Sequence, residues 1–277
     1  MKNIFISIIT LFVLTSCEKT VELDLEDSTP KIVIEGLVTD REGYQYVKVS
    51  RSAGFYATGK TPRVSDATVM IVDDQGNTFS FVHNPNSHAD SVGYYLPGTP
   101  FTGAIGRTYT LTVVADGQTY EGSDTMFRLT PIDKLEYRIN EEEQEDPEDD
   151  GRFYELLLFV KEPQDTKDYY LFKSFRNGAI EYQNDTDVYY ADDELIGENI
   201  DGISLPLFYA ADDVAKIEVQ SLSRQAFVFY RDLSKLLNND GGMFGTPPAN
   251  PRTNLSNGAV GFFQASAIQS AELVIAE

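Results

Sequence analysis

His83 and His88 are the two imidazoles of this 277-residue chain, and they stand five apart in the turn-rich stretch HNPNSH. A helical zinc protease spaces its histidine ligands at i and i+4. A loop spacing of five supplies no such face, so two surface-loop histidines is the simpler reading. A hydrolase built on either one would have to gather its serine and carboxylate in space. The chain has no Gly-x-Ser-x-Gly elbow, phosphate-cradling glycine loop or dinucleotide fingerprint. Carboxylates offer a second chemistry. Asp146-x-Glu148-x-Asp150-Gly151 opens like an EF-hand loop, with glycine at the sixth position, but Leu157 stands where the closing glutamate belongs. The stretch NDTDVYYADDE at 184–194 places Asp185, Asp187, Asp192 and Asp193 on one polar segment. Hard oxygen ligands of that kind can hold Ca²⁺, although a solvated acidic loop explains the same composition. No other cofactor is expected. The last candidate lies in MFGTPPANPRTNLSNGAVGFF, residues 243–263. Three prolines stiffen this loop, and Arg252, Asn254 and Asn257 form a polar set that could meet a ligand or partner. The local alternative is a long turn in which Arg252 satisfies loop carbonyls or an acidic neighbour.

Cys17 is the single cysteine. It follows a basic start at Lys2, an apolar run over residues 4–14 and the small residues Thr15 and Ser16. That run is too short to span a bilayer, which takes about 20 apolar residues, and it has the form of a secretory signal. With Cys17 at the cut site, LTSCEK looks like a bacterial lipobox. In such signals the cysteine is acylated, the chain is cut before it and the new amino terminus is acylated in turn. Several acyl chains anchor a body stably where one does not. The expectation is a lipoprotein signal peptide at 1–16 and an acylated tether at 17–29; the plainer alternative is a secreted chain with a chance cysteine there. A thioether at Cys17 would leave no thiol for disulfides, metal sites or nucleophilic catalysis.

The net charge is −22. A surface this acidic repels phosphate backbones, so no nucleic acid partner is expected. Aromatic residues are plentiful but include no Trp, which removes the commonest sugar-binding platform while leaving Tyr to serve.

From residue 31 the pattern is β. KIVIEGLVTD and YQYVKVSRS alternate apolar and polar residues, and ATVMIVDDQGNTFSFV reads as a hairpin. Asp116-Gly117 marks a second tight turn. Strands about every ten residues predict an immunoglobulin-like or transthyretin-like antiparallel β-sandwich at 30–130. Residues 141–150 hold eight carboxylates and no basic residue, the composition of a solvated loop. A second β-rich domain is expected at 131–277. It carries one amphipathic helix near 223–238, capped by Ser223 and striped by Phe227, Tyr230, Leu233 and Leu237.

PPANPRTNLSNGAVGFFQAS, placed after that helix, resembles the Bacteroidetes lipoproteins of domain-of-unknown-function family 4249 (DUF4249). The early KIVIEGLVTD strand and the Gly258-Ala259-x-Gly261-Phe262-Phe263 pattern carry the likeness. The resemblance implies a lipid-anchored outer-membrane protein, often encoded beside TonB-dependent receptors; the acidic residues soon after Cys17 resemble the surface-export signals of Bacteroidetes lipoproteins and favour the cell-surface side. It brings no catalytic residues. The expected function is therefore a non-enzymatic accessory or substrate-capture partner of a TonB-dependent transporter. The alternatives are a stand-alone extracellular module for glycan or Ca²⁺, and a hydrolase using His83 or His88. Mass spectrometry of the full chain from its native membrane should find residue 17 as the amino terminus, carrying acyl groups. Cys17→Ser should leave the signal uncut, and an unmodified thiol at Cys17 would refute the lipobox assignment.

Overall fold

The computed structural model describes residues 29–54, 59–84, 86–145, 151–161, 166–193, 199–239 and 249–276. Cys17, the 1–16 signal, the tether up to residue 28, the EF-hand-like Asp146, Glu148 and Asp150, and the start of the Pro-rich loop lie outside them. The chain is mainly β.

Seven strands come from the amino-terminal part: β1 (Ile32–Thr39), β2 (Tyr46–Arg51), β3 (Thr68–Asp73), β4 (Thr78–His83), β5 (Tyr94–Pro97), β6 (Thr108–Ala115) and β7 (Gln118–Thr125). The two expected hairpin turns are present, joining β3 to β4 and β6 to β7. Asp116 and Gly117 both take positive φ, as a turn matched to the strand twist requires. Alternate side chains such as Val47, Val49, Val69, Ile71, Leu111 and Val113 fill one interior.

These strands do not close by themselves. An eighth, β15 (Val260–Ser266), pairs in parallel with β1, and the path runs β15-β1-β2-β5-β4-β3-β6-β7. The expected sandwich at 30–130 is thus a single nearly closed sheet, and it draws a strand from the region assigned to 131–277. Alternation reveals which side chains face a core but leaves open which strands pair.

The gap between β7 and β15 is filled by residues 253–258. Gly122 bridges Leu255, and the Ser256 N–H donates to the Glu121 carbonyl at 2.8 Å. Asn254 does most of the joining. Its amide donates to the carbonyls of Ser123 (3.0 Å) and Phe263 (2.7 Å), and its oxygen accepts from the Phe263 N–H (3.0 Å). Asn257 donates to the Thr119 carbonyl. Gly261 sits in the β1–β15 ladder at φ +101°, where a Cβ would lie 2.0 Å from the Ile34 carbonyl oxygen. Only glycine fits both constraints.

The remaining strands form two sheets. One is β8 (Lys134–Ile139), β9 (Tyr154–Lys161) and β13 (Asn199–Tyr209), in the order β13-β9-β8. The other contains β10 (Tyr169–Arg176), β11 (Ala179–Ile180), β12 (Tyr189–Asp192), β14 (Val214–Ser221) and β16 (Ile268–Val274). Leu156, Leu158, Leu205, Leu207, Ile217 and Val219 pack between them. Residues 141–145, expected as loop, form a short helix, α1 (Glu141–Glu145). The Asn140 side chain accepts from the Glu143 N–H, and carboxylates in a first turn favour the helix dipole. The expected amphipathic helix is α2 (Arg224–Leu237). Ser223 caps it by accepting from the Ala226 N–H, and Ala226 and Phe227 are its buried residues. With Tyr169, Leu171 and Phe262, these close the outer face of the five-stranded sheet. Ala267 alone separates β15 from β16, so one extended segment serves both halves.

Gly261→Ala should destabilise the protein by more than about 3 kcal/mol. Asn254→Ala, which strips three internal bonds, should cost roughly 2–4 kcal/mol. Urea unfolding midpoints measure both; an Asn254→Ala midpoint equal to wild type would mean that this loop does not hold the sheet closed.

Candidate functional site

A cleft of about 380 Å³ lies where β1, β2, β15, α2, β10 and β14 meet. Its polar lining is Glu35, Tyr46, Lys173, Gln220, Tyr230 and Gln264. Each comes from an element whose other face is buried, which fixes the backbone beneath it. Ile34 points into the closed sheet, so its neighbour Glu35 points out. Lys173 pairs in register with Glu218 across β10 and β14. Gln264 lies on the strand that carries the buried Phe263 and Ala265.

Hydrogen bonds order these groups. Tyr46 Oη donates to Glu35 Oε1 at 2.5 Å, and Lys48 Nζ to Glu35 Oε2 at 3.1 Å. Tyr230 Oη donates to Gln264 Oε1 at 2.6 Å. Gln264 Nε2 donates to Gln220 Oε1 (3.0 Å) and Ser266 Oγ (2.6 Å), and Gln220 Nε2 donates to Glu218 Oε1 (2.9 Å). A continuous polar chain thus runs from helix α2 through β15 to β14. Lys173 Nζ joins none of it: among the described residues it makes neither a hydrogen bond nor an ion pair. Burial pushes its amine below the usual lysine range, against the pull of Glu218 and Glu35. Burial, with Glu35 nearby, holds the Tyr46 and Tyr230 hydroxyls far above the usual tyrosine range, so both remain protonated donors. Phe229 and Phe262, 5.0 Å apart, supply apolar wall. Fixed polar groups set in an apolar wall are suited to holding a small molecule in one orientation.

The residues singled out in the sequence lie elsewhere. Arg252 pairs with Asp232 of α2 through Nε (2.6 Å) and Nη2 (2.7 Å), and this holds the Asp232 carboxyl below its usual range. Asn254 and Asn257 spend their amides on the seam described above. Asp187 accepts from the Asn184 N–H (2.9 Å) and Tyr189 Oη (2.7 Å), and Asp193 from the Asp168 N–H (3.1 Å). Asp192 stands opposite Tyr169 on β12, and Asp185 lies in the turn before it. Among the described residues no three His, Cys, Asp or Glu side chains converge on a point that could hold a metal. His83 Nε2 accepts from the Gly93 N–H at 3.0 Å, and His88 caps a 3-10 turn. The cleft residues did carry a sequence signal. Lys173 and Gln264 each interrupt an apolar strand, in YYLFKSFR and VGFFQAS.

The profile described as Domain of unknown function (DUF4249) matches residues 18–272. The chain belongs to the DUF4249 family. No curated protein matches it.

One buried acid of this DUF4249 chain sits behind the cleft. Asp124 of β7 is 4% exposed. Its carboxylate accepts from the Ala265 N–H at 2.9 Å, and the Ser223 hydroxyl also bonds to it. Burial outweighs these bonds and raises its pKa to about 6. The unfolded chain releases this proton near pH 3.8, so between about pH 4 and 6 the folded state holds a proton that the unfolded state has lost. Stability therefore falls as pH rises through that window. The Asp124 contribution is of the order of 3 kcal/mol, at about 1.36 kcal/mol per pKa unit. Asp124→Asn should remove this decline. The difference in unfolding free energy between wild type and variant, followed across that window, should change by a few kcal/mol; a constant difference would exclude Asp124 as its source.

Proposed function

We propose that this DUF4249 protein is a non-enzymatic, lipid-anchored outer-membrane protein on the cell-surface side, serving a TonB-dependent transporter by capturing a small ligand in the cleft between its two halves. The observation that carries the reading is the cleft itself. Its walls come from both halves of the molecule, its hydroxyl, amide and carboxylate groups are held by internal bonds, and one amine, Lys173, has no hydrogen-bond or ion-pair partner among the described residues. The lipobox-like LTSCEK segment supports the anchor. The acidic chain argues against nucleic acid as the partner. A binding module that works without a transporter would use the same cleft, and the difference is whether a barrel accompanies it. Gentle extraction of the full-length protein from its own membrane, followed by mass spectrometry, should recover a stoichiometric outer-membrane β-barrel. Recovery of the protein alone would refute the accessory role and leave the stand-alone module.

A further inference from the structure

Resting on the capture reading, the residues around the cleft narrow the ligand to one chemical class. Two amines, Lys173 and Lys48, face the carboxylates Glu35 and Glu218, with the buried Asp124 behind Tyr230. These charges nearly balance, so a ligand with net charge gains little from them, and the chain's overall charge of −22 repels anions from a distance. Hydrogen-bonding capacity, by contrast, is in excess. The three N–H groups of Lys173 have no acceptor among the described residues. Glu35 is held in place by Tyr46 and Lys48, one bond to each oxygen, and a carboxylate oxygen has a second lone pair to offer. Gln220 has spent one of its two N–H groups. The cleft thus sets donors beside an acceptor, against the apolar wall of Phe229, Phe262 and Leu233.

We propose that the cleft binds an uncharged polyhydroxylated ligand, a mono- or disaccharide, with Lys173 donating to one hydroxyl and Glu35 accepting from its neighbour. Each hydroxyl of a vicinal diol both donates and accepts, so it satisfies the two side chains together. The C–H faces of a sugar ring meet the apolar wall. The cavity volume lies in the range of small-molecule sites.

Isothermal titration of the full-length chain tests this, in a detergent without a sugar headgroup. The probes are glucose, galactose, maltose and cellobiose as neutral sugars, glycylglycine as a zwitterion and citrate as an anion. Saturable binding of a sugar is expected. Lys173→Met and Glu35→Gln should each weaken it about tenfold or more while circular-dichroism melts stay at the wild-type temperature. Sugar binding left intact by both variants would overturn the site. Saturable binding of glycylglycine or citrate in place of sugars would overturn the ligand class but leave the capture reading standing. Silence from every probe would overturn the sugar assignment, and the co-purification experiment would then decide separately whether a transporter partner exists.

Discussion

From Val33 to Thr39 the first strand lies in parallel against residues 260–266, and both the closure of the first half and the cleft need that ladder. Without it the amino-terminal strands form an open sheet with two edges, which leaves rows of backbone groups unpaired. With it, β15 brings residues 253–258 against β7 and holds Gln264 and Phe262 toward the second half. Gly261 is the tight point, because its backbone lies against the Ile34 carbonyl at a φ that suits no larger residue. The seam is polar for the same reason. Two strands that cannot pair edge to edge along their whole length need side chains to complete the hydrogen bonding, and Asn254 supplies a donor and an acceptor at one position.

The space between the two halves is filled differently from either core. Both cores are aliphatic and aromatic, whereas the junction contains Lys173, Glu218, Gln220, Gln264 and Tyr230. Desolvating such groups is costly, and well-packed apolar residues there would stabilise the fold as well or better. A polar network in that position is the departure from local rules expected where a protein meets something else. Because one segment, β15 to β16, belongs to both halves, the positions of these side chains are tied to two cores at once. That is the rigidity a preorganised site requires.

Much of this architecture was legible in the sequence. Period-two alternation placed the strands of the first half, the turn residues at 74–77 and 116–117 placed two hairpins, and Ser223 with its apolar stripe placed α2 to within a residue; β11, β12 and β13 lie in a largely polar stretch that gave no strand signal. Strand partnership was not legible, because alternation is satisfied by many pairings. In β15 even the alternation fades: five consecutive residues are buried, since one face meets the closed sheet and the other meets α2 and β14. The cleft was hidden for a related reason. Glu35, Lys173, Gln220, Tyr230 and Gln264 are scattered along the chain, and each is one polar position within an otherwise ordinary strand or helix. The loop at 249–258 drew attention as a dense polar cluster. The bonds of Arg252, Asn254 and Asn257 within the chain account for that density through the needs of the seam and of α2.

The parallel ladder also sets an order of events. Arg41, just past β1, bonds to the Ile268 carbonyl 227 residues away along the chain. Contacts of such range are paid for in loop entropy before they return anything, and they slow folding. Delivered amino terminus first, the chain presents β1 to β7 well before β15. The first half must therefore wait with both sheet edges open, each a template for pairing with another copy of the chain. β15 thus acts as the latch on a structure begun at the start, and time spent unlatched is time in which those edges can pair with another copy of the chain.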